Sequence, residues 1–277
     1  MKTLLTILFP LIFLVLQCSK PSGSPEISIP DKNFLNALTE LGVDHDRNGQ
    51  ISLQEAEAAQ TIRLWPSDIH DLNGIEYFIN LDTLSIIMNP ISEPDLSQNK
   101  SLKYLELIGC GLTMLDLSEN KELVHLDCES RLAMKNTLTT LDLSSNPKLE
   151  FLSCIENQIT SLNISSNPQL SALHCGYNKL SSLNVSLNTN LKTLHCNNNL
   201  LTSLDVSKTT ALTDMITCGN RFSGFDISNN HNLVKIGIDN MPMLQKVCVW
   251  TLPFPPAGVV VLMGFSPNIL FSLECGE

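Results

Sequence analysis

LEFLSCIENQI (149–159), LSALHCGYNKL (170–180) and LKTLHCNNNLL (191–201) are three copies of one pattern, and their first leucines stand 21 residues apart. A constant step of this length marks stacked structural units, because one unit cannot bury its apolar side alone and a pile of them can. The frame runs backward through Leu123, Leu102 and Leu81, once extra residues near Ser130 to Lys135 are allowed for. Forward it runs through Leu212 and Leu233, so eight rungs are readable. Leu152 and Cys154, Leu173 and Cys175, and Leu194 and Cys196 are each spaced by two, which sends both members of a pair to the same face of a short strand. Parallel strands stacked at about 4.8 Å then bury a continuous apolar column.

Two further columns keep the same beat. Asn89, Cys110, Asn136, Asn157, Asn178, Asn199 and Asn220 stand where the chain leaves each strand, and a buried amide there can serve turn backbone of its own and neighbouring rungs. In the second half of the repeat, Ser97, Ser118, Ser144, Ser165, Ser186, Ser207 and Ser228 recur beside Asn99, Asn120, Asn146, Asn167, Asn188 and Asn230, with Thr209 interrupting the second series. So short a repeat leaves no room for a return helix, so extended or 3₁₀-like segments and a flattened solenoid are expected.

Each rung reads L-x-x-L-x-(C/L/I)-x-x-(N/C)-x-L, which resembles the leucine-rich-repeat signature. Residues 62 to 250 in particular resemble the internalin-like bacterial surface proteins whose strands carry a cysteine ladder. Asp71 to Leu81, with Gly74-Ile75-Glu76-Tyr77-Phe78, resembles their opening repeat. The expected fold is therefore a mainly β solenoid with parallel strands, a short helical N-terminal cap and a β-rich C-terminal cap. The chain divides into a leader (1–17), a tether (18–28), a helix-loop-helix cap (29–61), the solenoid (62–243) and a closing cap (244–277).

A solenoid exposes its core at both ends unless something covers it. At the front, Pro30-Asp31 opens an amphipathic stretch with Phe34, Leu35, Leu38 and Leu41 on one helical face. Asp44-His45-Asp46-Arg47-Asn48-Gly49-Gln50-Ile51-Ser52-Leu53-Gln54-Glu55 then fits the EF-hand loop pattern at every defined place. In such a loop Asp44, Asp46 and Asn48 supply side-chain oxygens, Gln50 a carbonyl, Ser52 a direct or water-bridged contact and Glu55 two oxygens, so structural calcium of low affinity is expected. Ser52 and Glu55 also read as a helix capping box, which accounts for two of these ligands without any metal. At the far end the period breaks after Trp250, and Val247-Cys248-Val249-Trp250-Thr251-Leu252-Pro253 with the proline run behind it resembles the closing segment of the same bacterial repeats. A Cys248–Cys275 disulfide would pin that cap in an oxidising compartment; two free buried thiols are the alternative.

Met1-Lys2 followed by an apolar run from Leu4 to Leu16 reads as a secretory leader rather than a spanning helix. Val15-Leu16-Gln17-Cys18 resembles a relaxed bacterial lipobox, with Cys18 as the lipidated mature N-terminus, although Gln17 departs from the usual small residue. Simple secretion is the rival reading. Ser19 to Ser28, with Pro21, Gly23 and Pro25, serves as the tether, so the membrane is met through a lipid anchor alone. The domain is expected at the outer membrane or cell surface, as a monomer.

The formal charge of −11 argues against nucleic acid or an anionic membrane as partner, and 5% aromatic content is unlike an ordinary globular enzyme. His174-Cys175 and His195-Cys196 invite a thiol–imidazole reading, but adjacent strand residues point to opposite faces, and an inward cysteine acts as a small hydrophobe. His174 and His195 on neighbouring rungs lack an obvious third metal ligand. Nucleotide, serine-hydrolase and zinc signatures are missing from the sequence.

Folding columns are monotonous, so ligand information should lie in outward positions that vary: Tyr104, Glu106, His125, Asp127, Glu129, Phe151, Ser153, Ile155, His174, Tyr177, His195 and Asn197. Their mixture of rings and acids has the character of an interface. The excess at Ser130 to Lys135 is expected to project beside them. These features imply a non-enzymatic surface protein that recognises a protein or glycan. The alternative is a structural or assembly subunit of the bacterial envelope or of a glycan-uptake system.

Overall fold

The computed structural model describes residues 23–131, 134–264, 266 and 269–274. The leader, Cys18 and Cys275 lie outside the described residues, and with them the proposed lipid site and one half of the proposed disulfide. Ten parallel strands form one sheet: β1 (Thr61–Leu64), β2 (Thr83–Ile87), β3 (Tyr104–Ile108), β4 (His125–Asp127), β5 (Phe151–Ser153), β6 (Ala172–His174), β7 (Thr193–His195), β8 (Asp214–Ile216), β10 (Lys235–Gly237) and β12 (Val260–Leu262), paired in that order. Two of these, β1 and β12, lie outside the eight rungs legible in the sequence.

Register follows the leucines. Leu126, Leu152, Leu173 and Leu194 are successive partners, and all four are fully buried. Cys128, Cys154, Cys175 and Cys196 form the second inward column, equally buried. Thr217 occupies the next place in this ladder, donating its hydroxyl to the Gly237 carbonyl at 2.9 Å, and Cys218 is displaced by one position and partly exposed. Burying each leucine contributes about 1.5–3 kcal/mol, and the gain arises only when rungs cover one another.

The asparagine columns tie rung to rung. Asn178 Nδ2 donates to the Cys154 carbonyl of the preceding rung at 2.9 Å and to Cys175 at 3.2 Å, while its Oδ1 accepts the Ile159 N–H at 3.0 Å. Cys110 imitates the donor, with its thiol 3.4 Å from the Ile86 carbonyl. On the return side, Asn167 Nδ2 reaches Leu143 O and Asn146 O at 3.0 and 2.8 Å. Successive i→i−3 backbone bonds, such as Asn146 to Leu143 and Leu149 to Asn146, make this side 3₁₀-like. The outward Asp and Asn residues two places before each serine are turn formers: Asp142 Oδ1 accepts the Ser144 N–H at 2.9 Å, and Asn163 Oδ1 that of Ser165 at 3.1 Å.

Toward the C-terminus the return side becomes a sheet of its own, with β9 (Gly224–Asp226), β11 (Lys246–Cys248) and β13 (Leu270–Ser272) parallel in the order β13-β11-β9. The closing segment therefore adds β12 to the large sheet and β11 and β13 to the small one. At the front, α1 (Lys32–Glu40) and α2 (Leu53–Ala58) cover the first rung. Phe34 and Leu38 are fully buried, whereas Leu41, expected on the same buried face, is exposed because the helix has ended. Asp31 caps α1 through Asn33 and Phe34, and its second oxygen accepts from His70 and Asp71 of the opening repeat. Gly74 has φ +108°, and a Cβ there would lie 2.8 Å from Ile29 Cγ1, so the joint between cap and stack requires glycine.

Candidate recognition face

The outward side of the ten-stranded sheet carries two columns. Tyr104, His125, Phe151, Ala172, Thr193 and Asp214 are partners in the first; Glu106, Asp127, Ser153, His174, His195 and Ile216 in the second. Rings touch one another through them without a break, stacked in the first two pairs and tilted in the next two. Tyr104 and His125 lie 4.0 Å apart at 10°, and His125 and Phe151 4.2 Å apart at 3°. The row then crosses columns, from Phe151 to His174 at 5.4 Å and on to His195 at 4.7 Å. Arg63 sits 5.7 Å from the Tyr104 ring at one end, and at the other Asp214 is held by His195 Nε2 at 3.1 Å and Lys235 Nζ at 3.2 Å. A diagonal ridge thus crosses the face from Arg63 to Lys235.

Carboxylates flank the ridge. Glu106 accepts the Tyr104 and Ser85 hydroxyls, both at 2.6 Å. Burial, together with that bond and the Glu106 charge, pushes the Tyr104 phenol up to about 12. Asp127 Oδ1 accepts the Glu129 N–H at 3.0 Å, yet burial drives its carboxyl up to about 6, with Glu129 and Glu106 as like-charge neighbours adding to the rise. Burial lowers His125 and His174, so both rings are neutral near pH 7. The ladder thiols, by contrast, are pushed far up by burial, which leaves Cys154 and Cys175 without thiolate chemistry.

Not every expected residue lies on the strands. Glu129, Ile155 and Asn197 follow the ladder position and line the sheet's edge. Tyr177, 54% exposed, lies one place further, at a corner where the backbone is left-handed. This corner recurs at Met88, Gly109, Glu156, Tyr177, Asn198, Gly219 and Asn240, all with positive φ, and its N–H bonds the next rung, as from Tyr177 to the Asn197 carbonyl at 2.8 Å. The glycines and asparagines in this series were a legible signal; glutamate, tyrosine and methionine hid it. The expected projection at Ser130 to Lys135 is corrected in its described residues. Arg131 and Met134 form a bridge that packs on Gly109, whose added Cβ would lie 2.8 Å from Arg131 Cβ, and Arg131 pairs with Glu129 at 2.7 Å.

A second constellation lies in the front cap. Ligand atoms of Asp44, Asp46 and Glu55 come within 4.8 Å of one another. Among the described residues no lysine or arginine pairs with them. Asp44 accepts from Asn48 and Gly49, Asn48 Oδ1 from Gln50, and Arg47 and Gly49 have positive φ, which wraps the loop around the cluster. The capping box is also formed: Ser52 Oγ accepts the Glu55 N–H, and Glu55 Oε2 accepts from Ser52. Burial opposes the Glu55 charge, but these bonds outweigh it and lower its carboxyl.

No family model and no curated protein sequence matches the chain; its likeness is to solved structures. The cysteine-ladder functional domain of InlJ from Listeria monocytogenes superposes with a TM-score of 0.64 and 26% identity, over 84% of this chain and 59% of that one. The architecture is an internalin-like leucine-rich-repeat solenoid. A leucine-rich-repeat protein of Leptospira interrogans follows at 0.63 and 23% identity, over 69% of this chain and 52% of that one. Internalin C2 of Listeria monocytogenes matches at 0.56 and 21% identity, over 88% and 94%. The chain thus spans little more than half the length of the first two. Among the described residues no helix is long and apolar enough to cross a membrane.

Proposed function

We propose that this internalin-like solenoid is an exported, lipid-anchored recognition protein that binds a protein or glycan on the outer face of its ten-stranded sheet and catalyses no reaction. The observation that carries this reading is the unbroken ring row Tyr104–His125–Phe151–His174–His195. Folding needs leucines and asparagines in their columns; it does not need outward rings on successive rungs. Rings flanked by acids supply the contact area and polar anchors that interfaces use. Wild type and a Phe151→Ala variant are compared for capture of ligands from host extract, from the organism's own envelope and on a glycan array. Loss of a captured species in the variant supports the strand face, and identical capture by both proteins discards it. Capture from the envelope alone would favour an assembly subunit over an adhesin. The Cys18 anchor is checked by metabolic labelling with palmitate, which a Cys18→Ser variant should abolish.

Calcium at Asp44, Asp46, Asn48, Gln50, Ser52 and Glu55 is part of the same proposal. Three carboxylates crowded without a counter-cation, in a loop of EF-hand spacing, suit a divalent oxygen-seeking ion. Its role here would be to brace the cap that covers the first rung.

A further inference from the structure

Resting on the strand-face reading, the geometry points to the chemistry of the partner: a protein segment that presents an arginine side chain to the Asp127 side of the ring row. The argument is one of complementarity. Asp127 is in register with Glu106 on one side and Ser153 on the other, and Glu129 lies two residues on. The other polar groups around it bring no positive charge. The buried Ser153 hydroxyl eases the Asp127 carboxylate but brings no charge, and His125 Nε2, on a ring that is neutral near pH 7, has no hydrogen-bond partner. Glu106 already takes two hydroxyl donors, and Arg131 serves Glu129. Asp127 is left with the Glu129 N–H and the Ser153 hydroxyl, and among the described residues no lysine or arginine pairs with it.

A partly buried carboxylate beside two others is costly to hold charged, and a donor-rich cation removes that cost. Neutral sugar hydroxyls bring no charge, and an acidic ligand would add repulsion. Guanidinium brings five donors in a planar fork, matches a carboxylate with two bonds and tolerates ring neighbours. The chain already sets a guanidinium against a ring at the head of the same row, where Arg63 lies 5.7 Å from the Tyr104 centroid.

The test uses the whole chain and a hexa-arginine peptide, with hexa-lysine, hexa-glutamate and a neutral chito-oligosaccharide as comparisons, by titration calorimetry at physiological salt. Because any acidic protein attracts polycations, a double Asp127→Asn/Glu129→Gln variant is set against Glu40→Gln/Glu57→Gln, which removes the same charge from exposed cap positions. Hexa-arginine should bind in preference to the others and lose about tenfold in affinity with the first pair while keeping it with the second. Equal losses in both pairs, no loss in either, or no hexa-arginine binding would each overturn the arginine assignment. A natural ligand lost on Phe151→Ala but indifferent to Asp127→Asn/Glu129→Gln would overturn it too while leaving the strand-face reading standing.

Discussion

Asp127 and Glu106 are cross-strand partners on the outer face, two carboxylates side by side in register. Glu106 is satisfied by two hydroxyls, whereas Asp127 is partly buried and its carboxyl is raised to about 6. A carboxyl raised above its unfolded value stays protonated in the folded state while the unfolded chain ionises, so stability falls as pH climbs from about 4 through about 6. Asp127→Asn keeps the acceptor for the Glu129 N–H and removes the charge. After allowing for screening at a partly exposed site, the variant should gain about 1–2 kcal/mol at pH 7.5 and converge with wild type near pH 4. Urea denaturation across that range measures it; a variant less stable at pH 7.5 would mean that Asp127 is stabilised by its surroundings.

Thr209 interrupts a column of buried amides. Asn188 bonds the carbonyls of Ile164 and Asn167, and Asn230 those of Val206 and Thr209, but Thr209 spends its hydroxyl on Val206 within its own turn. Removing a working amide, as in Asn167→Ala, should cost about 2–4 kcal/mol, since two buried carbonyls lose their donor. Thr209→Asn should restore the missing rung and gain up to about 1 kcal/mol, because every amide in this series leaves its own Oδ1 without a partner. The two midpoints moving in the same direction would contradict the ladder account.

The buried thiols make a chemical prediction. Iodoacetamide applied to folded protein at pH 8 should leave Cys128, Cys154, Cys175 and Cys196 unmodified and reach Cys218 before any of them, since the four are fully buried and Cys218 is partly exposed. Peptide mass spectrometry reads the sites. Cys175→Ser should cost about 1–3 kcal/mol by placing a hydroxyl in the apolar column.

For the cap loop, adding calcium to chelator-treated protein should raise Tm and release a titration heat, with saturation in the millimolar range. Glu55→Gln should weaken both responses and also loosen α2, so Asp46→Asn, outside the capping box, is the cleaner variant. Neither heat nor a Tm shift in wild type would remove calcium from the proposal.

Sequence alone determined the solenoid. A 21-residue beat in leucine, cysteine and asparagine leaves few other ways to bury the apolar positions, and alternation along a strand assigns Cys154 inward and Phe151 outward without coordinates. The cap loop was legible for the same reason, as a spacing of oxygen-bearing side chains around Gly49. What tertiary structure decided were relations between rungs. The row's crossing from Phe151 to His174, the left-handed corner that carries Tyr177 off the strand, the folding of Arg131 onto Gly109 and the second sheet from β9 to β13 depend on how neighbouring turns lean on one another. Periodicity fixes which residues share a column; distance, angle and burial within that column arise from packing across rungs that no single repeat encodes.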